Sequence, residues 1–163
     1  MPENKRYLSL DPSSTCVGWA VFTVEEGTIA AGRIRGKGKA ATGRIDALVD
    51  AVASLAKEHS IDSAIVEVPS GKVHAGRNRG GGSGLSVYGE AVGAIRTALR
   101  LMGLVMHSVT AERWTGGHSK VKRRRVALKE YPALDGMTDG GGDISDAIAL
   151  GVWYRLRIMG VKV

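Results

Sequence analysis

Hydrophobic positions along the chain change period several times, and each change marks an element. Residues 6–10 and 16–24 are apolar, β-branched runs parted by Asp-Pro-Ser-Ser-Thr, a strong turn signal. Gly27 breaks the second run before a third short one at 28–34, which predicts an antiparallel meander. The period then lengthens. After glycine-rich residues 36–43, Ile45, Leu48, Val49, Val52, Leu55 and Ala56 recur at three-four spacing, the signature of an amphipathic helix. Ser60 to Val68 is short, apolar and not alternating, as expected of a buried strand. A polar, glycine-rich stretch from Ser70 to Gly84 precedes a second helical pattern, Leu85, Tyr88, Val92, Ile95, Leu99 and Met102, ended by Gly103. Leu104 to Val109 predicts a fifth strand, 111–118 a loop, 119–130 a basic helix, 131–142 a second loop and Asp143 to Met159 a final helix. The expected order is β-β-β-α-β-α-β-α-α, an α/β fold without internal repeat, taken as one domain over residues 1–163.

Three of these elements deliver acid at one end. Asp11 ends the run Tyr7-Leu8-Ser9-Leu10, Glu67 follows Ala64-Ile65-Val66, and Asp143 and Asp146 open the last helix. Carboxylates brought together raise one another's pKa unless cations lie between them. Oxygen-only ligands of this kind suit magnesium or manganese. Taken singly, each acid has an ordinary explanation. Asp11 is then a turn residue before Pro12, Asp143 a helix cap and Asp146 a solvated first-turn acid. Glu67 is harder to dismiss, because an acid finishing a buried strand needs a partner. Asp135 and Asp139 read as loop carboxylates.

Charge sharpens this picture. Lys and Arg total 23 against 16 Asp and Glu, a net +7, which favours a polyanionic partner such as nucleic acid. The single cysteine, Cys16, excludes an intrachain disulfide and reads as a small buried hydrophobe. The first residues are polar, and no apolar run approaches the roughly 20 residues that span a bilayer. The expectation is a cytoplasmic protein with no membrane partner.

Leu8-Ser9-Leu10-Asp11-Pro12-Ser13 with Gly18-Trp19-Ala20, Ile65-Val66-Glu67, Gly116-Gly117-His118-Ser119-Lys120 and Asp143-Ile144-Ser145-Asp146-Ala147-Ile148-Ala149 occur in this order. Together they resemble the RuvC-type Holliday junction resolvases of the ribonuclease H-like superfamily. The likeness spans nearly the whole chain. It implies a five-stranded mixed sheet flanked by helices, with Asp11, Glu67, Asp143 and Asp146 as catalytic acids and metal ligands. It further implies Lys120 as the catalytic lysine, two magnesium or manganese ions per site, and a homodimer acting on four-way DNA junctions. Paired nicks would leave 5′-phosphate and 3′-hydroxyl ends. The 85–102 helix, with Gly89 and Gly93, is the expected dimer contact.

Cations beside the acids extend the expectation to DNA binding. Lys120-Val121-Lys122-Arg123-Arg124-Arg125 is the densest positive run, and Lys122, Arg123, Arg124 and Arg125 are read as phosphate contacts. Lys72, His74, Arg77 and Arg79 lie on the glycine-rich segment after Glu67, with Lys72, Arg77 and Arg79 taken as a DNA-gripping flap. Two departures from the family pattern stand out. Residues 68–87 contain no Phe, Tyr or Trp to act as a wedge, and Arg113 is the only cation between 108 and 119 in place of an upstream lysine. Trp114 reads as packing and His118 as a polar loop residue. Rival readings are a related nuclease acting on flaps, forks or RNA–DNA hybrids, and a non-catalytic DNA-binding member.

Overall fold

The computed structural model describes residues 4–70 and 82–161. Strands β1 (Tyr7–Pro12), β2 (Cys16–Thr23) and β3 (Gly27–Arg35) form the expected antiparallel meander. Ser13 builds its first turn: the Ser13 amide donates to the Cys16 carbonyl at 2.7 Å, and its hydroxyl accepts from the amides of Thr15 and Cys16. Strand β4 (Ser63–Val68) runs parallel to β1, and β5 (Val105–Thr110) parallel to β4. The sheet order is β3-β2-β1-β4-β5, with helix α1 (Ala41–Glu58) joining β3 to β4 and α2 (Gly82–Leu101) joining β4 to β5. The five-stranded mixed sheet is therefore as expected.

Strand parity sorts the two faces, because successive side chains point to opposite sides. Leu8, Leu10, Ala64 and Val66 pack with Leu48, Val52 and Leu55 of α1 and Val92, Ile95 and Leu99 of α2. The alternate positions, Phe22 and Ile65 among them, meet Leu150 and Tyr154 of the last helix, α5 (Asp143–Arg157). Ser9 on that face donates to the Ala147 carbonyl at 2.7 Å, so a buried hydroxyl fastens helix to sheet. Glycines permit the close approach. A Cβ at Gly151 would press on Phe22 and the Ser9 hydroxyl at 3.1 Å, and one at Gly18 would collide with the Asp143 carbonyl.

Two expectations are corrected. Residues 60–62 turn the chain out of α1 instead of starting β4: Ser60 takes φ 51°, and the Ile61 amide donates back to Ala56. The segment 111–118, expected as a loop, opens with a short helix α3 (Ala111–Thr115), which tucks Trp114 beside Phe22, Ile65 and Val109. Helix α4 (Lys120–Glu130) follows, capped by Ser119, whose hydroxyl accepts from the Lys122 amide at 3.3 Å. Among the described residues no helix is long and apolar enough to cross a membrane.

Candidate active site

Register carries the first two acids to one spot. Leu10 pairs with Val66, so Asp11 and Glu67 are the next residues along adjacent strands. By parity both point to the α5 face, with Ser9 and Ile65. Asp11 also pairs with Gly18, the residue against which Asp143 is pressed. The first turn of α5 thus lies over the carboxyl end of β1, and Asp143 and Asp146, three apart, share one side of it. Burial pushes the Asp11 carboxyl well above its ordinary value, and Glu67, Asp146 and Asp143 push it further, while Lys120 pulls it down. Those five groups form one electrostatic cluster.

Each of the other acids has a partner of its own. Asp146 is held by Arg123, whose Nε and Nη2 donate to its two oxygens at 2.6 and 3.0 Å. Arg123 also donates to the His118 carbonyl at 2.7 Å and lies 5.6 Å over the Trp114 ring. The Trp114 indole N–H donates to Glu67 at 2.6 Å. Burial raises the Glu67 carboxyl, and the Trp114 hydrogen bond partly offsets that rise. Asp143 receives Cys16 Sγ at 3.3 Å and Arg33 Nη1 at 3.5 Å. Lys120 Nζ reaches the Gly141 carbonyl at 3.0 Å and stays exposed. Among the described residues no three acids, histidines or cysteines are turned together as a finished metal nest.

The donor set nevertheless fits a hard cation. Asp11 is a deeply placed carboxylate that accepts no hydrogen bond among the described residues, and three acids act on it. A divalent ion among oxygen donors removes that mutual repulsion.

The remaining expected contacts separate into four groups. Lys122 and Arg125 are exposed on α4, with Lys122 Nζ 3.0 Å from His118 Nε2. Arg123 is turned inward onto Asp146, and Arg124, whose side chain is still 41% exposed, reaches Asp139 at 3.4 Å. Arg113 is exposed on α3, beside a groove lined by Trp153 and Ile158. Lys72, His74, Arg77 and Arg79 lie outside the described residues.

Several neighbours escaped the sequence. Asp139, read as a loop carboxylate, has a fully buried side chain that accepts from the amides of Ile144 and Ser145 at 2.9 and 3.1 Å and from the Ser145 hydroxyl. It satisfies first-turn amides of α5 that the N-cap residue Gly142 cannot, from four residues before the helix begins, because the Gly140–Gly142 turn folds back. Cys16, expected as a buried hydrophobe, is half-buried against Asp143. Tyr88 of α2 lies near enough to Glu67 and Asp11 for both to raise its phenol beyond what burial does. Asp139→Ala is expected to destabilise the protein by about 1–2 kcal/mol, seen as a lower melting temperature.

A five-stranded mixed sheet ordered β3-β2-β1-β4-β5 and flanked by helices is the ribonuclease H-like fold. Comparison with solved structures narrows the likeness to RuvC. T. thermophilus RuvC in complex with Holliday junction substrate matches with a TM-score of 0.74 at 14% identity, covering 96% of this chain and 97% of that one. A second Thermus thermophilus RuvC structure gives 0.72 at 15% identity, with the same coverage. No protein-family model and no curated protein matches the chain. At this identity the likeness is one of fold.

Proposed function

We propose that this protein is a divalent-metal-dependent endonuclease that resolves four-way DNA junctions as a cytoplasmic homodimer, one nuclease domain per chain. The observation that carries this reading is the cluster of Asp11, Glu67, Asp143 and Asp146 with Lys120, on a RuvC-like fold and in a basic chain. Those four acids would hold one or two magnesium or manganese ions, which when bound activate water and neutralise the departing 3′-oxygen.

The chain's own groups do the rest. Asp11 and Glu67, fixed on paired strands, give the site a rigid floor. Asp143 and Asp146 approach from a helix end whose dipole favours negative charge. Lys120 is free to leave the Gly141 carbonyl and steady charge on the phosphate. Arg123 now occupies the oxygens of Asp146, so metal ligation by Asp146 requires that pair to loosen. For the dimer, Gly89, Gly93, Thr97 and Leu101 recur every fourth residue on α2. A Cβ at either glycine would meet nothing within 4 Å, and Leu101 is 84% exposed.

Cleavage of a synthetic four-way junction beside matched duplex, fork, flap and RNA–DNA hybrid, with magnesium or with chelator, tests the reading. Magnesium-dependent paired nicks in the junction support it. Preference for fork, flap or hybrid moves the protein to a related nuclease, and binding without cleavage makes it a DNA-binding member. The exposed cations of α4 give a further prediction. Lys122→Ala/Arg125→Ala should weaken DNA affinity and flatten its salt dependence by up to about 0.9 units of slope for each duplex phosphate left unneutralised. Titrations at several salt concentrations read this directly, and an unchanged slope would return both side chains to the solvated face of the helix.

A further inference from the structure

The cations of α4 are not the only ones near the acidic cluster. Residues 27–45 contain Arg33, Arg35, Lys37, Lys39 and Arg44 and no acid. Register fixes where they lie. Arg33 pairs with Gly18 and Arg35 with Cys16, while Gly18 pairs with Asp11. Arg33 is therefore two strands from Asp11, roughly 10 Å at ordinary strand spacing. Being two residues apart, Arg33 and Arg35 share the α5 face of the sheet. With Lys37 they line an open groove of about 540 Å³, walled opposite by Met137, Thr138 and Ile144. A smaller groove of about 310 Å³ adjoins it, where the same two arginines meet Thr15, Cys16 and Arg44.

The loop beyond β3 is held in place. The Gly36 amide donates to the Thr15 carbonyl at 2.8 Å, tying the loop to the turn that follows Asp11. Arg44 Nη1 donates to the Lys39 carbonyl at 2.5 Å. Arg35, Lys37 and Lys39 are exposed, and among the described residues only Arg33 of the five has a carboxylate within ion-pair distance. Cations on an edge strand also deter pairing with another sheet edge, and β3 is such an edge. That accounts for Arg33 and Arg35. It does not account for Lys37, Lys39 and Arg44, which continue past the last paired residue, where no edge remains to guard.

We propose that this ramp of cations binds backbone phosphates of the nucleic acid beside the acids, a second phosphate-binding surface in addition to α4. Arg33 and Arg35, two residues apart on β3, are roughly 6.6 Å apart, close to the rise of two phosphates along one DNA strand. The inference rests on the nuclease reading and adds a surface to it.

The test compares the parent protein with Arg35→Ala/Lys37→Ala/Lys39→Ala, leaving Arg33 intact because it touches Asp143. The triple variant is expected to bind junction and duplex about tenfold more weakly near physiological salt, with the salt slope reduced by about 0.7–0.9 for each phosphate no longer neutralised. In the parent protein, bound DNA should shield Lys37 and Lys39 from an amine-reactive reagent, a measurement that needs no variant to fold. If the parent binds branched DNA but the triple variant matches it in affinity and slope, or both lysines stay reactive in the complex, the inference is overturned and edge protection remains. If the parent binds no DNA, the nuclease reading falls and this inference with it.

Discussion

Asp11→Asn should cut cleavage by orders of magnitude and at the same time make the metal-free protein more stable. The loss of activity is expected to reach about 100- to 1000-fold, the scale on which removal of one electrostatic group from a reacting centre is felt. The gain in stability follows from the raised Asp11 pKa. An acid whose folded-state pKa lies above its unfolded one binds its proton more tightly when folded. Stability is therefore highest below the ordinary carboxylate range and is lost as pH rises from there through the raised value. The neutral amide never ionises, so the variant should lack this loss. Melting temperatures in chelator from pH 4 upward should show parent and variant diverging, with the variant higher at neutral pH. Magnesium should narrow the difference by stabilising the parent. A parent whose metal-free stability does not fall over that range, or a variant that cleaves junctions at the parent's rate, would remove Asp11 from the centre of the cluster.

Arg123→Ala should act in the opposite sense on stability. The Arg123 and Asp146 side chains are only 13% and 12% exposed, so truncating the arginine leaves a mostly buried carboxylate without its partner. Breaking such a pair typically costs about 3–5 kcal/mol, and here the truncation also removes the cation over Trp114 and the bond to the His118 carbonyl. A divalent ion on Asp146 would supply the missing positive charge. Magnesium should then raise the variant's melting temperature more than the parent's, since at a given concentration the state that binds the ligand more tightly gains more stability. Thermal unfolding of both proteins across a magnesium titration, with calcium as a non-catalytic comparison, reads the coupling without relying on turnover. Equal shifts would mean that Arg123 and the metal do not compete for the same oxygens.

Both outcomes turn on partners that local pattern does not reveal. Asp11, Glu67, Asp143 and Asp146 were legible because each ends or opens an element of clear periodicity, and parity then fixes the face. The sheet was legible for the same reason: turn residues separate apolar runs of strand length, and helical spacing lies between the later ones. Arg123 was visible only as one charge in a run of four, since helical geometry turns it inward while Lys122 and Arg125 face out. Asp139 was hidden by the three glycines that follow it, whose backbone freedom lets a carboxylate fold back over a helix it does not adjoin in sequence. Arg33 could be found only through register, because it reaches Asp143 across 110 residues of chain. Trp114 looked like packing and does pack, but its N–H also serves Glu67. A buried indole has one donor to satisfy, and the sequence does not say with whom.

The bond from Ser9 to the Ala147 carbonyl spans 138 residues, and that span has a consequence during synthesis. The first strand leaves the ribosome long before the helix that completes its site. Contacts so distant along the chain form late, after the loop-closure entropy has been met. Until α5 docks, Asp11 and Glu67 lack Asp143 and Asp146, and the four-acid cluster is incomplete. Completion of the cluster is thus tied to the docking of α5, whatever the strands achieve before it.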